Sequence, residues 1–347
     1  MKISSILTIS ALTLSSATYG QVKLSNQLEI TGSVDTYYKY DFSGKPNIQT
    51  SFANDQNSVS LGMIDIGLKK TTGKASFVGE VSFGPRGQYA SLPNGDGSEV
   101  NGDNNFNIQN LYVTYAFADK FSMTAGYMGT FIGYEVISPV GNVNYSTSYL
   151  FSSGPFQNAG VKANYTFSDK VALMVGLFDD WNVYKDVNGV SHFGAQLTLA
   201  PVTGWTANLN LLTGKSVGAP GTGSIYDLTT SYQLTEKFKL GLNAADYSVS
   251  NHGGGYSGAA LYFLHAFNEA LSLGLRTEYF ESKATDDVEG YKMGSVTLSA
   301  NLKSGGLTFI PEIRLDNGNT SRFVKNNLDP TKTASQFSLA AVYAFEE

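Results

Sequence analysis

"YAFADKFSMTAGY", residues 115–127, places two aromatic residues one apart, a three-residue break with a charge pair, and then an alternating apolar run. The same order returns as "YTFSDKVALMVGL" at 165–177, "YQLTEKFKLGLNA" at 232–244 and "HAFNEALSLGLRT" at 265–277. Each copy reads as the end of one strand, a tight polar turn and the start of the next strand. Away from these turns the alternation continues. In "LEITGSVDTYYKYDF", residues 28–42, Leu28, Ile30, Val34, Tyr38, Tyr40 and Phe42 share one face, and Glu29, Thr31, Ser33, Asp35, Lys39 and Asp41 share the other. Successive side chains of a strand point to opposite sides, so this segment is apolar on one side and charged on the other.

The chain has 347 residues with 21 Tyr, 21 Phe and 37 Gly, but only 2 Trp, and just 15% charged residues, a balance that favours strands divided by turns. The leading "MKISSILTISALTLSSATYG" carries one Lys, an apolar stretch and small residues near its end, the layout of a secretory signal peptide over residues 1–20. Cleavage falls after Gly20 or after Ala17, and residues 21–347 are then one domain. The formal charge of −6 argues against nucleic acid as a partner. With zero Cys, an exported chain has no disulfides and needs a continuous hydrogen-bonded frame. Beyond the signal there is no apolar run of about 18 residues, so no transmembrane helix is expected.

Strand-like segments number about 16, each long enough to cross a bilayer when tilted. They lie at 28–42, 58–69, 74–84, 106–117, 121–131, 157–167, 171–181, 191–200, 204–213, 224–234, 238–248, 257–267, 271–281, 291–302, 307–316 and 335–345. Their connections alternate between tight breaks such as "ADK", "SDK" and "TEK" and longer loops rich in Gly, Asn and Asp. The expected fold is therefore all-β: a closed antiparallel transmembrane barrel with short periplasmic turns and long extracellular loops. Tyr115 with Phe117, Tyr165 with Phe167 and Tyr343 with Phe345 end strands on the short-turn side, where an aromatic girdle meets the lipid headgroups. A soluble propeller or sandwich also alternates, but it explains neither the two classes of connection nor the recurring aromatic pair.

Other motifs are explained by position. "GGGYSG" at 253–258 has the spacing of a dinucleotide-binding turn, yet a strand follows it and no helix N-terminus is there for a phosphate. Asp96, Glu99 and Asp103 lack calcium-loop spacing, and His192, His252 and His265 lack a second ligand. No cofactor, metal or catalytic group is expected.

One stretch is more specific. Residues 126–182 carry Gly126, Thr130, Gly133 and Glu135, then Asn144, Tyr145, Ser146 and Ser148, then Gly160, Val161 and Tyr165. In order and spacing this resembles the OmpL-like, beta-barrel porin-2 family of Gram-negative outer-membrane proteins, with departures at Tyr127, Thr147 and Asn158. The resemblance implies a diffusion channel and names no solute. A trimer follows only by analogy with other porins.

The expected function is passive passage of small hydrophilic solutes or ions through a water-filled lumen in the outer membrane. The alternative is a structural or adhesive barrel that binds a partner through its loops. Glu29, Asp35, Lys39, Glu80, Asp227, Lys239 and Glu312 are expected to line the lumen. The loop of about 132–156 is expected to fold inward, because Ile132, Tyr134, Val136, Ile137, Tyr145, Tyr149, Leu150 and Phe151 are too apolar for a loop standing in water. Glu135 is its sole charge and would form the constriction with Lys162, Arg276, Glu278 and Arg314. Acidic residues outnumber basic ones among the expected lining groups, which predicts a weak cation preference.

Overall fold

The computed structural model describes residues 21–25, 28–88, 107–183 and 186–345. The signal-peptide segment and the acidic residues Asp96, Glu99 and Asp103 lie outside the described residues. Among the described residues one sheet holds seventeen strands: a short one at Gln21–Ser25, paired with the start of the next, and sixteen long ones. The long ones are β1 Leu28–Asp41, β2 Ser58–Thr72, β3 Ala75–Phe83, β4 Asn107–Ala118, β5 Phe121–Gly129, β6 Gln157–Ser168, β7 Val171–Phe178 and β8 His192–Leu199. The second half comprises β9 Trp205–Gly214, β10 Gly223–Thr235, β11 Phe238–Val249, β12 Gly255–Asn268, β13 Leu271–Lys283, β14 Tyr291–Ser304, β15 Leu307–Gly318 and β16 Thr333–Ala344.

Each strand pairs antiparallel with the next, and β16 pairs with β1 in the register Leu339↔Tyr38 and Ala341↔Thr36. The sheet is closed, and closure removes the unpaired edge that an open sheet would expose to lipid. Seven connections are tight, at 73–74, 119–120, 169–170, 200–204, 236–237, 269–270 and 305–306. The eight at the other end are longer, and among them 42–57, 84–106 and 130–156 are the longest. The strand starting near 171 stops at Phe178 rather than reaching 181, because Asp179 and Asp180 end the apolar alternation. The glycine-rich 253–258 segment is the end of a loop and the first residues of β12, with no helix after it.

Alternation sets the two faces. Val34, Ile64, Val113, Val161, Leu177, Leu209, Leu298 and Ile313 are exposed on the outer surface. Their neighbours Ser33, Asp35, Asp65, Thr124, Asn210, Asp227, Arg276 and Glu312 are buried inside. An apolar outside and a polar inside invert a soluble protein and fit a wall between lipid and water. At the tight-turn rim the rings of Tyr115 and Phe117, and of Tyr165 and Phe167, meet edge to face at 4.9 Å. In the fourth copy His265 stands where Tyr115 and Tyr165 stand in theirs, against Phe267 at 4.6 Å.

Candidate functional site

Residues 130–156 leave β5 and return to β6, with a short 3-10 turn at Pro139–Gly141 and a one-turn helix at Tyr149–Ser153. The loop lies inside the barrel. Tyr145, Leu150, Ile132, Ile137 and Phe151 are buried, and Tyr134 stacks on the wall residue Tyr262 with ring centroids 4.3 Å apart. Burying such side chains removes apolar area worth about 25 cal/mol per Å², which offsets the entropy of ordering the loop.

Apolar contact alone would leave the loop's peptide groups without partners. The wall supplies them in two chemical kinds. Carboxylates accept the loop's N–H groups: Asp227 from Gly133 at 3.0 Å, Glu312 from Tyr145 at 2.8 Å, and Glu278 from Tyr149 at 3.0 Å and Leu150 at 2.8 Å. Guanidiniums donate to the loop's carbonyls: Arg276 to Ser146 O at 2.6 Å and Arg314 to Thr147 O at 2.7 Å. Charge-assisted hydrogen bonds of this kind are roughly twice as strong as neutral ones. Because they read backbone, the loop needs almost no charge of its own.

Its one charge is used at the centre. Arg276 Nη1 donates to Glu135 Oε1 at 2.6 Å, with both side chains almost wholly buried. The other carboxylate oxygen of Glu135 accepts from Ser148 twice, from N and from Oγ, each at 2.7 Å. Ser148 also caps the helix, its Oγ accepting from Phe151 N at 3.0 Å. Arg314 Nε donates to Asp316 at 2.9 Å, and Tyr149 donates its hydroxyl to the same carboxylate at 2.6 Å.

Tyr145 anchors the far side. Its hydroxyl donates to Asp35 at 2.5 Å, and burial holds the phenol well above its ordinary pKa, so the proton stays on Tyr145. Arg86, from the one-turn helix Pro85–Gln88, sits 3.6 Å from the same carboxylate and lies over the rings of Phe52 and Tyr145 at 4.4 and 4.8 Å. Phe52 belongs to loop 42–57 and packs with Phe151 and Phe156, so three of the long connections meet inside the mouth.

The motif residues have physical roles here. Gly133 holds φ +88 while its N–H points to Asp227, a conformation that costs an L side chain strain. Gly126 faces Gly160 across β5 and β6, and a Cβ on Gly126 would stand 2.2 Å from the carbonyl oxygen of Leu111. Thr130 accepts from Ile132 N at 3.1 Å, and Asn144 donates to Ser299 at 2.7 Å.

Of the residues expected at a constriction, Glu135, Arg276, Glu278 and Arg314 are brought together by the loop, and Lys162 is not. Lys162 faces inward from β6, half-buried, and among the described residues no hydrogen bond or ion pair joins it to the loop. Of the expected lining set, Asp35, Lys39, Asp227 and Glu312 are buried rather than wet: three hold the inward loop, and Lys39 donates to Ile48 O of loop 42–57 at 2.5 Å. Glu29, Glu80 and Lys239 are half-buried on the inner face. Sequence reasoning missed Arg86, Asp65, Asp316 and Ser299. Arg86 sits in a glycine-rich loop with no periodicity, whereas Asp65, Ser299 and Asp316 occupy inward positions of β2, β14 and β15 that alternation could have supplied.

His192 does meet an acid and a serine, at the end of β8. Its Nδ1 lies 2.8 Å from Ser191 Oγ and 3.4 Å from Asp180. Both partners crowd one ring nitrogen, whereas a Ser-His-Asp relay sets the nucleophile and the carboxylate on opposite nitrogens. Among the described residues no cluster of three metal-ligating side chains occurs.

The sequence matches the family model of beta-barrel porin-2, OmpL-like, over residues 27–345. No curated protein matches it. Solved structures share its fold at low identity. OmpT of Vibrio cholerae, an outer membrane protein in its trimer form, is 14% identical with TM-score 0.58, covering 91% of this chain and 98% of that one. An anion-selective porin from Comamonas acidovorans is 12% identical with TM-score 0.61, covering 92% and 99%. OmpF of Salmonella typhi is 11% identical with TM-score 0.58, covering 93% and 99%. Since the family match runs from the approach to β1 through the end of β16, the chain belongs to the beta-barrel porin-2, OmpL-like family and is an outer-membrane porin channel.

Proposed function

We propose that this porin is a passive diffusion channel for small hydrophilic solutes or ions, narrowed by the loop of residues 130–156. The single observation behind this reading is the inner face: rich in buried polar side chains such as Asn208, Asn210, Asp227, Thr297, Ser299 and Glu312, and occupied at one level by a loop bound through its backbone. About 16 strands enclose more room than side chains alone fill, so water remains beside the loop. Glu135, Arg276, Glu278 and Arg314 set the width of the passage by fixing the loop, and Lys162 lines the bare wall.

Residues 1–20 serve as the export signal and 21–347 as one barrel domain in the outer membrane of a Gram-negative cell. The short turns face the periplasm and the long loops the exterior, the asymmetry usual for such barrels. Lipid covers the apolar outer surface. A homotrimer is the assembly we assign, supported by the trimer form of the similar OmpT of Vibrio cholerae. The barrel does no covalent chemistry and takes no cofactor or nucleic acid. Planar-bilayer recording of purified protein tests the reading: stable open steps support a channel, and silence from folded, inserted protein supports a structural or adhesive barrel instead.

A further inference from the structure

A charge meets permeating ions most directly where no opposite charge sits beside it and solvent can reach it. Sorting the inward charges by that rule reverses the expectation drawn from formal counting. The carboxylates of Asp35, Asp227, Glu278 and Glu312 are buried, and each accepts hydrogen bonds from backbone N–H groups. Arg276 and Arg314 are equally buried and paired with Glu135 and Asp316. The two arginines are offset by their partners, and the four carboxylates are internal struts set back from solvent.

The half-buried set is different. Glu29 is paired with Lys69 at 3.4 Å, and Glu80 accepts from Asn110 at 2.5 Å. Lys162 on β6 and Lys239 on β11 face the lumen by alternation, and among the described residues neither has a hydrogen bond or an ion pair. The positions beside Lys162 in its row are small: Thr124 on β5 and Gly176 on β7. Gly241, the next inward position after Lys239 on β11, meets Tyr134 of the loop, which puts Lys239 one inward position nearer the tight-turn rim than that contact. Both lysines therefore face the lumen half-buried, and among the described residues neither has a protein counter-charge.

We propose that Lys162 and Lys239 determine the ion specificity of this pore and make it prefer small anions over cations, although the chain as a whole is acidic. An ammonium without a protein partner draws its counter-ion from solution, raising the local anion concentration along the path. The acidic residues that dominate the formal count meet permeating ions less directly, because Asp35, Asp227, Glu278 and Glu312 are buried beneath the groups they bind and Glu29 is paired with Lys69. The inference rests on the channel reading above.

The test uses the full-length purified porin in planar bilayers under a potassium chloride gradient, with reversal potential as the readout. Wild type should reverse on the anion-preferring side. Lys162→Gln and Lys239→Gln should each move the reversal potential toward the cation side, and the double Lys162→Glu/Lys239→Glu variant should change its sign. Heat-modifiable gel mobility confirms that every variant is folded. A cation-preferring wild type, or a reversal potential unmoved in all three variants, overturns the proposal while leaving the channel standing. A wild type that passes no current overturns the channel reading, and this inference with it.

Discussion

Glu135 and Arg276 meet at 2.6 Å, one on a loop and one on β13, with side chains 2% and 0% exposed. Breaking a buried pair by removing one partner costs about 3–5 kcal/mol, since the remaining charge is left uncompensated. Glu135→Gln should therefore lower the temperature at which the folded gel band converts to the unfolded one. The double change Glu135→Gln/Arg276→Met should recover much of that loss. If the single variant melts with wild type, the pair does not hold the loop.

Glu278 binds two consecutive N–H groups of the one-turn helix. Glu278→Gln keeps one good acceptor and loses the charge, where hydrogen bonds to a charged group are worth about 1.5–3 kcal/mol. The loop should open more often, seen as added current noise and faster protease cleavage between Tyr149 and Ser153, with the barrel band unchanged. Noise and cleavage rates equal to wild type would contradict the clamp.

Tyr145→Phe removes the hydroxyl bound to Asp35 while keeping the ring against Arg86 and Tyr37. Asp35 retains the N–H of Met63 at 2.9 Å. The expected loss is about 1.5–3 kcal/mol of loop anchoring. Measured as a rise in hydrogen exchange confined to residues near 145, it separates a local anchor from a general contribution to folding; a uniform rise across the barrel would count against a local anchor.

Register gives a sharper contrast. Leu173 and Leu228 point to lipid, whereas Thr166 and Ser231 point inward. Arg in place of either leucine should cost about 2–4 kcal/mol near the bilayer midplane. Small substitutions at Thr166 or Ser231 should change conductance and leave refolding yield intact. Equal damage from both classes would refute the assigned faces.

Much of this architecture could be read from the chain. All sixteen barrel strands follow from period-two alternation and from breaks such as Asp119-Lys120 and Asp169-Lys170, because both signals are local. The inward loop was also visible, through apolar residues such as Ile132, Tyr145 and Leu150 in a connection that would otherwise stand in water. Its seating was not. Glu278 and Glu312 grip peptide N–H groups, which every residue but proline carries, so nothing in residues 133–150 marks those partners. Lys162 was grouped with the constriction by charge alone, while barrel closure, a global property, brings β13 and β15 to the loop.

The central claim is a water-filled channel narrowed from within by residues 130–156. Single-channel conductance of wild type beside a variant whose residues 134–152 are replaced by a short Gly-Ser link measures it most directly. The account predicts stable open steps for wild type and clearly larger steps for the variant. Equal steps would contradict the inward constriction, and silence from both folded proteins would contradict the channel.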